Sequence, residues 1–249
     1  MSTTDDLLVQ FYDEAYTKDP AQAKRYADWR ALGAIGKADH VVDLCARAGV
    51  RPQSTLEVGC GDGALLCELH RRRFGGAMAG VEITEAAVEI ARERPQIDSV
   101  ELYDGRHLTV PDETYELGIL SHVLEHVHEP AELLAEVARA CKTVIMEVPL
   151  EDNRSARRDS KREHAEEVGH LQRLSRESAR QIATDAGLSV VCELEDPLPL
   201  AVHRFFAETT RAQALGTTKW ALRTGLHRLA PDRARRVFTV HYACLCSPA

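Results

Sequence analysis

Residues 55–66 of the 249-residue chain read Thr-Leu-Glu-Val-Gly-Cys-Gly-Asp-Gly-Ala-Leu-Leu. A short apolar run breaks into three glycines at alternate positions and resumes at helical spacing, a pattern typical of a strand, a tight turn and a helix. Glycine permits positive φ angles and removes the Cβ atoms that would hold a ligand away from the main chain. The helix that follows directs unpaired N–H groups at whatever lies over the turn. The stretch predicts a ligand that approaches the backbone closely, with a nucleoside-containing cofactor as the first candidate.

Two classes of cofactor compete for this turn. Gly59, Gly61 and Ala64 also satisfy the G-x-G-x-x-G/A spacing of dinucleotide-binding proteins, in which the helix N-terminus holds a pyrophosphate. Glu57 lies inside the strand, two residues before the first glycine, where its negative charge would repel a pyrophosphate. A sulfonium cofactor with an α-amino group would be compatible with that charge. A glycine-rich connector without a binding role is the remaining alternative.

Two motifs of the chain resemble those of the class I S-adenosylmethionine-dependent methyltransferases. The first is the acid-x-Gly-x-Gly-x-Gly signature at residues 57–63. The second is Ser-His-Val-Leu-Glu-His-Val at residues 121–127, which is similar to a stretch in family members that act on small molecules and quinones. The resemblance implies S-adenosyl-L-methionine as the cofactor and S-adenosyl-L-homocysteine as its product.

Acidic residues after the next two predicted strands complete the expected cofactor site. Glu82 can accept two hydrogen bonds from a ribose diol in either cofactor class, and a solvated acid at a strand end is the alternative. The resemblance implies that Asp104 accepts the adenine amine, whereas a plain Asp-Gly turn is the alternative. The expected cofactor-binding residues are Glu57, Gly59, Cys60, Gly61, Gly63, Glu82, Ile83, Asp104, Gly105, Ser121 and His126.

Histidines are the candidate catalytic groups. Methyl transfer from a sulfonium is an in-line displacement, so alignment and exclusion of water are the main tasks and a base is optional. Histidine is the usual base where one is used, and the candidates are His170, in a Gly-His-Leu stretch that borders the acceptor site of similar enzymes, and His122. His122, Glu125 and His126 are also a possible metal arrangement. We expect no metal, because three properly spaced ligands are not evident and methyl transfer does not require one.

Composition limits the partners and the compartment. Lys and Arg total 31 against 39 for Asp and Glu, a formal charge of −8, and no long basic block is present. This balance argues against a nucleic-acid partner, because phosphate binding needs a concentrated positive face. Seven cysteines without a C-x-x-C pair indicate a reducing cytoplasm rather than a disulfide framework. No apolar run approaches the ~20 residues of a membrane span and no signal peptide is evident. We expect a cytoplasmic monomer or homodimer without a membrane partner.

The order of segments predicts an α/β fold with a Rossmann-like, doubly wound sheet of seven strands, mainly parallel with an antiparallel last strand. Residues 51–249 form the expected methyltransferase core, which includes a helical insertion on the substrate side at residues 196–236. We expect the fifth strand to end at Val148, stopped by Pro149, and the last strand to cover residues 237–245.

Residues 1–50 predict an N-terminal helical lid. One amphipathic helix is expected over residues 5–16 and two more over residues 21–49, where Gly33 and Gly36 interrupt the pattern. As the resemblance implies, part of the lid would face the cofactor through its aromatic residues, which are Tyr12, Tyr16, Tyr26 and Trp29. The alternative is that these helices only pad one edge of the sheet.

The sequence therefore predicts an S-adenosylmethionine-dependent methyltransferase. Its expected methyl acceptor is an O or N atom of a small polar or heteroaromatic specialised metabolite. A nicotinamide-dependent oxidoreductase is the alternative enzyme. A non-catalytic member of the methyltransferase fold that binds the cofactor or a partner protein is the alternative outside enzymes.

Overall fold

Seven strands form one mixed sheet. The structure, a computed structural model, describes Tyr16 and residues 20–249. The strands are β1 Ser54–Val58, β2 Ala77–Glu82, β3 Ser99–Leu102, β4 Tyr115–Ser121, β5 Cys141–Leu150, β6 Leu188–Asp196 and β7 Val240–Pro248. Their order is β3-β2-β1-β4-β5-β7-β6, with β7 antiparallel to both of its neighbours and the other pairs parallel. The predicted sheet, with its antiparallel last strand, is confirmed.

Helices cover both faces of this sheet. They are α1 Pro20–Ala48, α2 Ala64–Arg71, α3 Glu85–Arg92, α4 Pro130–Ala140, α5 Asp159–Glu167, α6 Arg176–Asp185, α7 Leu200–Arg204, α8 Thr210–Leu229 and α9 Pro231–Val237. A 3₁₀ turn covers Leu124–His126. The last three helices lie between β6 and β7, so the expected helical insertion before the last strand is present. Within the described residues, the longest helices are too polar to cross a lipid bilayer.

Side chains alternate between the two faces of the sheet and build two apolar cores. On one face, Leu120 and Met146 pack in the same cluster as Leu134 of α4. On the other face, Ile119 and Ile145 belong to a cluster with α1 and α2. Because both faces are covered, a polar site can form at the carboxyl ends of the strands. The chain order reverses at β1, which lies between β2 and β4, and this is where a doubly wound sheet opens a crevice.

The prediction of two helices over residues 21–49 was wrong, because α1 is one continuous helix. A glycine inside a helix costs only about 1 kcal/mol relative to alanine. Burial of one face of α1 against the sheet offsets that cost. The buried residues of this face are Ala34, Ala38, Val41, Leu44 and Cys45.

The expected end of β5 and the expected start of β7 were also wrong. β5 continues to Leu150, and Pro149 pairs with His241 of β7. β4 has already ended opposite Glu147, so Pro149 has a neighbouring strand on one side only, a position that tolerates a residue without an N–H. β7 begins at Val240 rather than at residue 237, because α9 continues to Val237. The helix expected over residues 5–16 lies outside the described residues, apart from Tyr16.

Candidate active site

A cavity of about 2030 Å³ opens at the carboxyl ends of β1 and β4. This volume exceeds the roughly 300–1,000 Å³ of a common ligand pocket, so a nucleoside cofactor and a small acceptor fit together. The residues predicted from sequence that line it are Glu57, Gly59, Cys60, Gly61, Glu82, Ile83, Asp104, Gly105, Ser121, His122, His126 and His170. Gly63 is not among the lining residues. A Cβ at Gly63 would lie 2.3 Å from Ile97 Cδ1, so this glycine allows close packing under the turn.

The glycine turn has the backbone geometry that its sequence predicts. Gly59 and Gly61 have φ angles of +71° and +54°, in the left-handed region that favours glycine. A Cβ at Gly59 would lie 2.6 Å from Val123 Cγ2, and a Cβ at Gly61 would lie 2.7 Å from the hydroxyl of Tyr16. The side chain of Cys60 packs toward Gly80 of β2 and away from the turn. The turn therefore presents main chain to the cavity.

Glu82 ties the glycine turn to the end of β2. Its Oε2 accepts a hydrogen bond from the Gly61 N–H at 2.8 Å, and its Oε1 accepts one from the Ile83 N–H at 2.7 Å. Burial raises the pKa of this carboxyl, against the effect of these hydrogen bonds. Each carboxylate oxygen has a second lone pair. The expected contact with a ribose diol is therefore compatible with the contacts that Glu82 already makes.

Glu57 and Ser121 present buried polar atoms to the cavity. Glu57 is only 4% exposed, and its Oε2 has no hydrogen-bond partner among the described residues. Burial raises the pKa of Glu57 to about 8, opposed by the positive charge of Lys37. The Ser121 Oγ is likewise buried and without a hydrogen bond within the described part of the chain. Buried polar groups are normally paired, so these two atoms fit a bound ligand with hydrogen-bonding groups.

Asp104 is held by its own turn. Its Oδ1 accepts hydrogen bonds from the backbone N–H groups of Arg106 and His107 at 2.8 and 2.7 Å, and its Oδ2 lies 3.0 Å from His107 Nδ1. Partial burial alone would raise the pKa of this carboxyl, but the contacts with His107 and Arg106 lower it to about 2. Gly105 follows with a φ of +80°. The Asp-Gly turn is present and lines the cavity, so a structural role and the expected adenine contact are compatible.

Aromatic residues of the N-terminal segment lie over the cavity. The Tyr16 hydroxyl covers Gly61, and the Arg30 guanidinium lies 4.5 Å from the centre of the Tyr16 ring. The Trp29 ring lies 5.2 and 5.1 Å from the rings of Phe205 and Phe206 in the insertion. These contacts place α1 and the insertion on the same side of the cavity. Tyr26 also lines the cavity, and Tyr12 lies outside the described residues.

The two candidate bases have different surroundings. The Nδ1 of His170 lies 2.8 Å from Glu151 Oε2, and its Nε2 has no hydrogen-bond partner among the described residues. Both ring nitrogens of His122 are occupied, because Nδ1 lies 3.0 Å from Glu125 Oε1 and Nε2 lies 3.2 Å from His241 Nδ1. Of these two candidates, His170 alone has a ring nitrogen without a hydrogen-bond partner among the described residues, and this nitrogen could take a proton from an acceptor.

His126 packs against His170. Its Nδ1 lies 3.1 Å from the Gly169 carbonyl oxygen, and its ring centre lies 4.8 Å from that of His170. Burial lowers its pKa, so the imidazole tends to be neutral. This position agrees with a structural role beside the pocket.

Cationic side chains line one side of the cavity, between α5 and α8. They are Arg158, Lys161, Lys219 and Arg223. Partial burial lowers the pKa of Lys219, and the three neighbouring cations lower it further. Within the described residues, the structure shows no carboxylate paired with any of the four. Among the described residues, this cationic wall therefore presents positive charge to the cavity without a paired carboxylate.

The sequence matches the family described as "Methyltransferase domain" over residues 25–193. The chain belongs to this methyltransferase family. The predicted resemblance is thereby confirmed, and the expected cofactor agrees with it. The match also favours a methyltransferase over the alternative of a nicotinamide-dependent oxidoreductase.

Individual relatives share parts of this methyltransferase sequence. A ubiquinone biosynthesis O-methyltransferase of Hahella chejuensis is 31% identical over 102 residues, which are 39% of this chain and 42% of that protein. The chain thus spans less than half the length of this relative.

Two solved structures share the fold of this methyltransferase. Geranyl diphosphate C-methyltransferase of Streptomyces coelicolor aligns with a TM-score of 0.68 and 13% identity, over 100% of this chain and 99% of that chain. A methyltransferase of Thermotoga maritima, described as a possible histamine N-methyltransferase, aligns with a TM-score of 0.63 and 14% identity, over 97% of this chain and 100% of that chain. At sequence identities this low, the similarity shows only that this chain shares the fold of those structures.

Several polar residues of this methyltransferase site were missed in the sequence. Glu147 and His241 meet beside His122, and Glu151 meets His170. Glu147 interrupts an apolar run, as Glu57 does in β1, and this was an available signal. His241 carries no comparable signal, because its position depends on the placement of β7 beside β5. His122, Glu147 and His241 thus bring three potential ligand atoms together, in a combination that differs from the His122, Glu125 and His126 set considered from sequence.

Proposed function

We propose that the chain transfers a methyl group from S-adenosyl-L-methionine to an oxygen or nitrogen of a small polar or heteroaromatic metabolite. The unpaired, buried Oε2 of Glu57 beside the glycine turn is the observation that carries this proposal. The cofactor's charged α-amino group would satisfy this atom and favour the ionised form of Glu57, whereas a pyrophosphate would offer it no hydrogen-bond donor. The family assignment supports the same choice.

The remaining cofactor contacts follow from the residues that line the same cavity. Glu82 would hold the ribose hydroxyls, and Asp104 with Gly105 would hold the adenine. Ser121 Oγ would supply a further hydrogen bond near Glu57. When bound, the cofactor supplies an electrophilic methyl group on a sulfonium. The protein's own task is then to align the acceptor and to exclude water.

His170 is the proposed general base. Its Nε2 would take the acceptor's proton, while its Nδ1–H donates to Glu151. A carboxylate at this position fixes the tautomer and stabilises the imidazolium that forms. His122 is the weaker candidate, because Glu125 and His241 occupy its two ring nitrogens.

The cationic wall supports a polar acceptor and favours one with an anionic group. Cationic side chains without carboxylate partners attract carboxylate or phosphate groups. The acceptor would therefore lie between the cationic wall and His170. Neither an acidic overall composition nor the cavity gives a reason to invoke a nucleic acid.

Calorimetry tests the cofactor assignment. The wild-type protein should bind S-adenosyl-L-homocysteine and not NADH or NADPH. Glu57→Gln should weaken this binding, because the amide cannot pair ionically with the α-amino group, whereas Glu89→Gln on the exposed side of α3 should leave it unchanged. Binding of a nicotinamide cofactor with the same affinity would contradict the proposal. Screening a panel of carboxylated, phosphorylated and neutral metabolites with labelled cofactor then identifies the acceptor and separates an enzyme from a non-catalytic binding protein.

A further inference from the structure

Behind His122 lies a polar cluster that the proposed proton transfer does not use. It is made of three imidazoles and three carboxylates, which are His40, His122, His241, Glu125, Glu147 and Asp196. The members come from α1, the segment after β4, β5, the end of β6 and β7. Glu125 and Glu147 are only 1% and 2% exposed. The cluster forms one wall of the cavity.

Three potential ligand atoms of this cluster lie close to one another. The Nε2 of His122 lies 3.2 Å from the Nδ1 of His241 and 3.6 Å from the Oε1 of Glu147. The Nδ1 of His241 lies 3.2 Å from the same Oε1. A point near this triangle lies about 2 Å from all three atoms, which is the ligand distance of a zinc ion bound by histidine and carboxylate. The spacing of the atoms matches three positions of a tetrahedral metal site.

Well-directed hydrogen bonds cannot satisfy all three contacts of this triangle at once. A ring nitrogen carries either one proton or one lone pair, so it makes one well-directed hydrogen bond. The Nδ1 of His241 nevertheless lies at hydrogen-bonding distance from both His122 and Glu147. A single cation at the centre would satisfy all three atoms at once.

The neighbouring residues are those that support metal ligands. Glu125 Oε1 lies 3.0 Å from His122 Nδ1, so the second ring nitrogen of this histidine is held by a carboxylate. His40 Nδ1 lies 3.2 Å from Glu147 Oε2, and His40 Nε2 lies 3.3 Å from Asp196. Such partners fix the tautomer and orientation of metal-ligating groups.

The charge of the cluster also calls for a positive group. Three carboxylates lie together in a largely buried space, and buried charges are stable only when they are paired or bound to a metal. Protons on the imidazoles or a divalent cation can supply the balance. The convergence of three ligand atoms favours the cation.

We propose that His122, His241 and Glu147 bind a divalent first-row transition metal ion of the zinc or ferrous class. Imidazole nitrogens select this class over magnesium and calcium, which prefer oxygen ligands. Two histidines and one carboxylate leave at least one position open, and the cavity lies on the exposed side of both histidines. If the proposed methyl transfer holds, this open position would bind a polar atom of the acceptor. The metal site itself does not depend on that reaction.

Metal titration tests the site directly. Metal-free protein should bind one equivalent of Zn²⁺ in calorimetry, and of Co²⁺ as followed by visible absorption. His241→Ala and Glu147→Gln should lose this equivalent, and Glu125→Gln should weaken it by about 10- to 100-fold. His70→Ala is the matched control, because His70 is exposed on α2 and does not line the cavity. This variant should bind the metal as the wild type does.

Two further measurements keep the test decisive. In the wild type, Zn²⁺ should protect His122 and His241, but not His70, from modification by diethyl pyrocarbonate. This measurement needs no variant that could fail to fold. Binding of S-adenosyl-L-homocysteine shows which variants remain folded, and its failure in the wild type would refute the proposed function while leaving the metal result intact. Failure of the wild type to bind a stoichiometric metal would overturn the site. Loss of the metal in His170→Ala but not in His241→Ala would overturn it as well, because the ion would then lie at Glu125, His126 and His170.

Discussion

At the scale of single residues, Glu57 makes stability depend on pH. Its pKa is about 8 in the folded protein and returns toward 4.5 on unfolding. Between these values the folded state holds a proton that the unfolded chain has released, so the free energy of unfolding falls as pH rises. The variant Glu57→Gln has no titrating carboxyl at this position, so this fall in the free energy of unfolding does not occur. In the cofactor-free protein, Glu57→Gln should therefore gain stability over the wild type between pH 5 and pH 8.5.

Urea unfolding at the two pH values measures this gain. Each unit of pKa shift corresponds to about 1.4 kcal/mol, so a gain of at least about 1.4 kcal/mol is expected. Glu89→Gln, on the exposed side of α3, should show no such pH-dependent gain. An equal difference between Glu57→Gln and the wild type at both pH values would contradict a raised pKa.

His170 carries the second prediction at this scale. His170→Gln should lower kcat by about 10²- to 10⁴-fold, because a general base contributes that much, while the affinity for S-adenosyl-L-homocysteine stays unchanged. Glu151→Gln should cause a smaller loss, since Glu151 only orients the imidazole. Turnover assays with the identified acceptor check both variants, with His70→Gln as the control. Near-wild-type kcat in His170→Gln would leave proximity alone as the source of catalysis.

At the scale of elements, two glycines should respond in opposite ways to the same substitution. Gly61→Ala places a Cβ at a left-handed φ of +54° and 2.7 Å from the Tyr16 hydroxyl, so a loss of about 1–2 kcal/mol is expected. Gly33→Ala lies inside α1 with no atom within 4 Å of the new Cβ, and a gain of about 0.5–1 kcal/mol is expected. Thermal unfolding of both variants measures the contrast. Equal shifts in Tm would show that local backbone geometry does not determine these effects.

The elements also show which parts of the fold a sequence can predict. The glycine turn was predictable because its geometry depends on residues that follow one another directly. The continuity of α1 was not, since the packing that outweighs its two glycines comes from a sheet formed later in the chain. The end of β5 was predicted wrongly for a related reason. The effect of Pro149 on β5 depends on where the neighbouring β4 ends.

At the scale of the whole molecule, the cationic wall should determine how the acceptor binds. Lys161→Gln with Lys219→Gln should raise KM for an anionic acceptor about tenfold, equivalent to about 1.4 kcal/mol, and leave kcat nearly unchanged. Added salt should reduce the difference, because screening weakens exposed charges. Steady-state kinetics at two ionic strengths measure this effect, and Arg228→Gln, exposed at the end of α8, is the control. An unchanged KM would argue for a neutral acceptor.

Most residues of the proposed cofactor site were found in the cavity as the sequence predicts, whereas the cluster of the proposed metal site could not be predicted. Glu57 and Gly61 belong to one local motif, and Glu82 follows one strand later. His122 and His241 are 119 residues apart, and they meet because β7 lies between β5 and β6. No local pattern encodes that strand order.

The central position of β7 has a consequence for fragments of this protein. A chain that stops before Val240 would lack the strand that joins β5 to β6, and its sheet would have an open slot between them. A synthetic peptide covering Val240–Pro248 has the register to fill that slot and carries His241 with it. Reassembly from two pieces would then restore a sheet and a polar cluster in a single step, so that tertiary structure and the proposed metal site would return together.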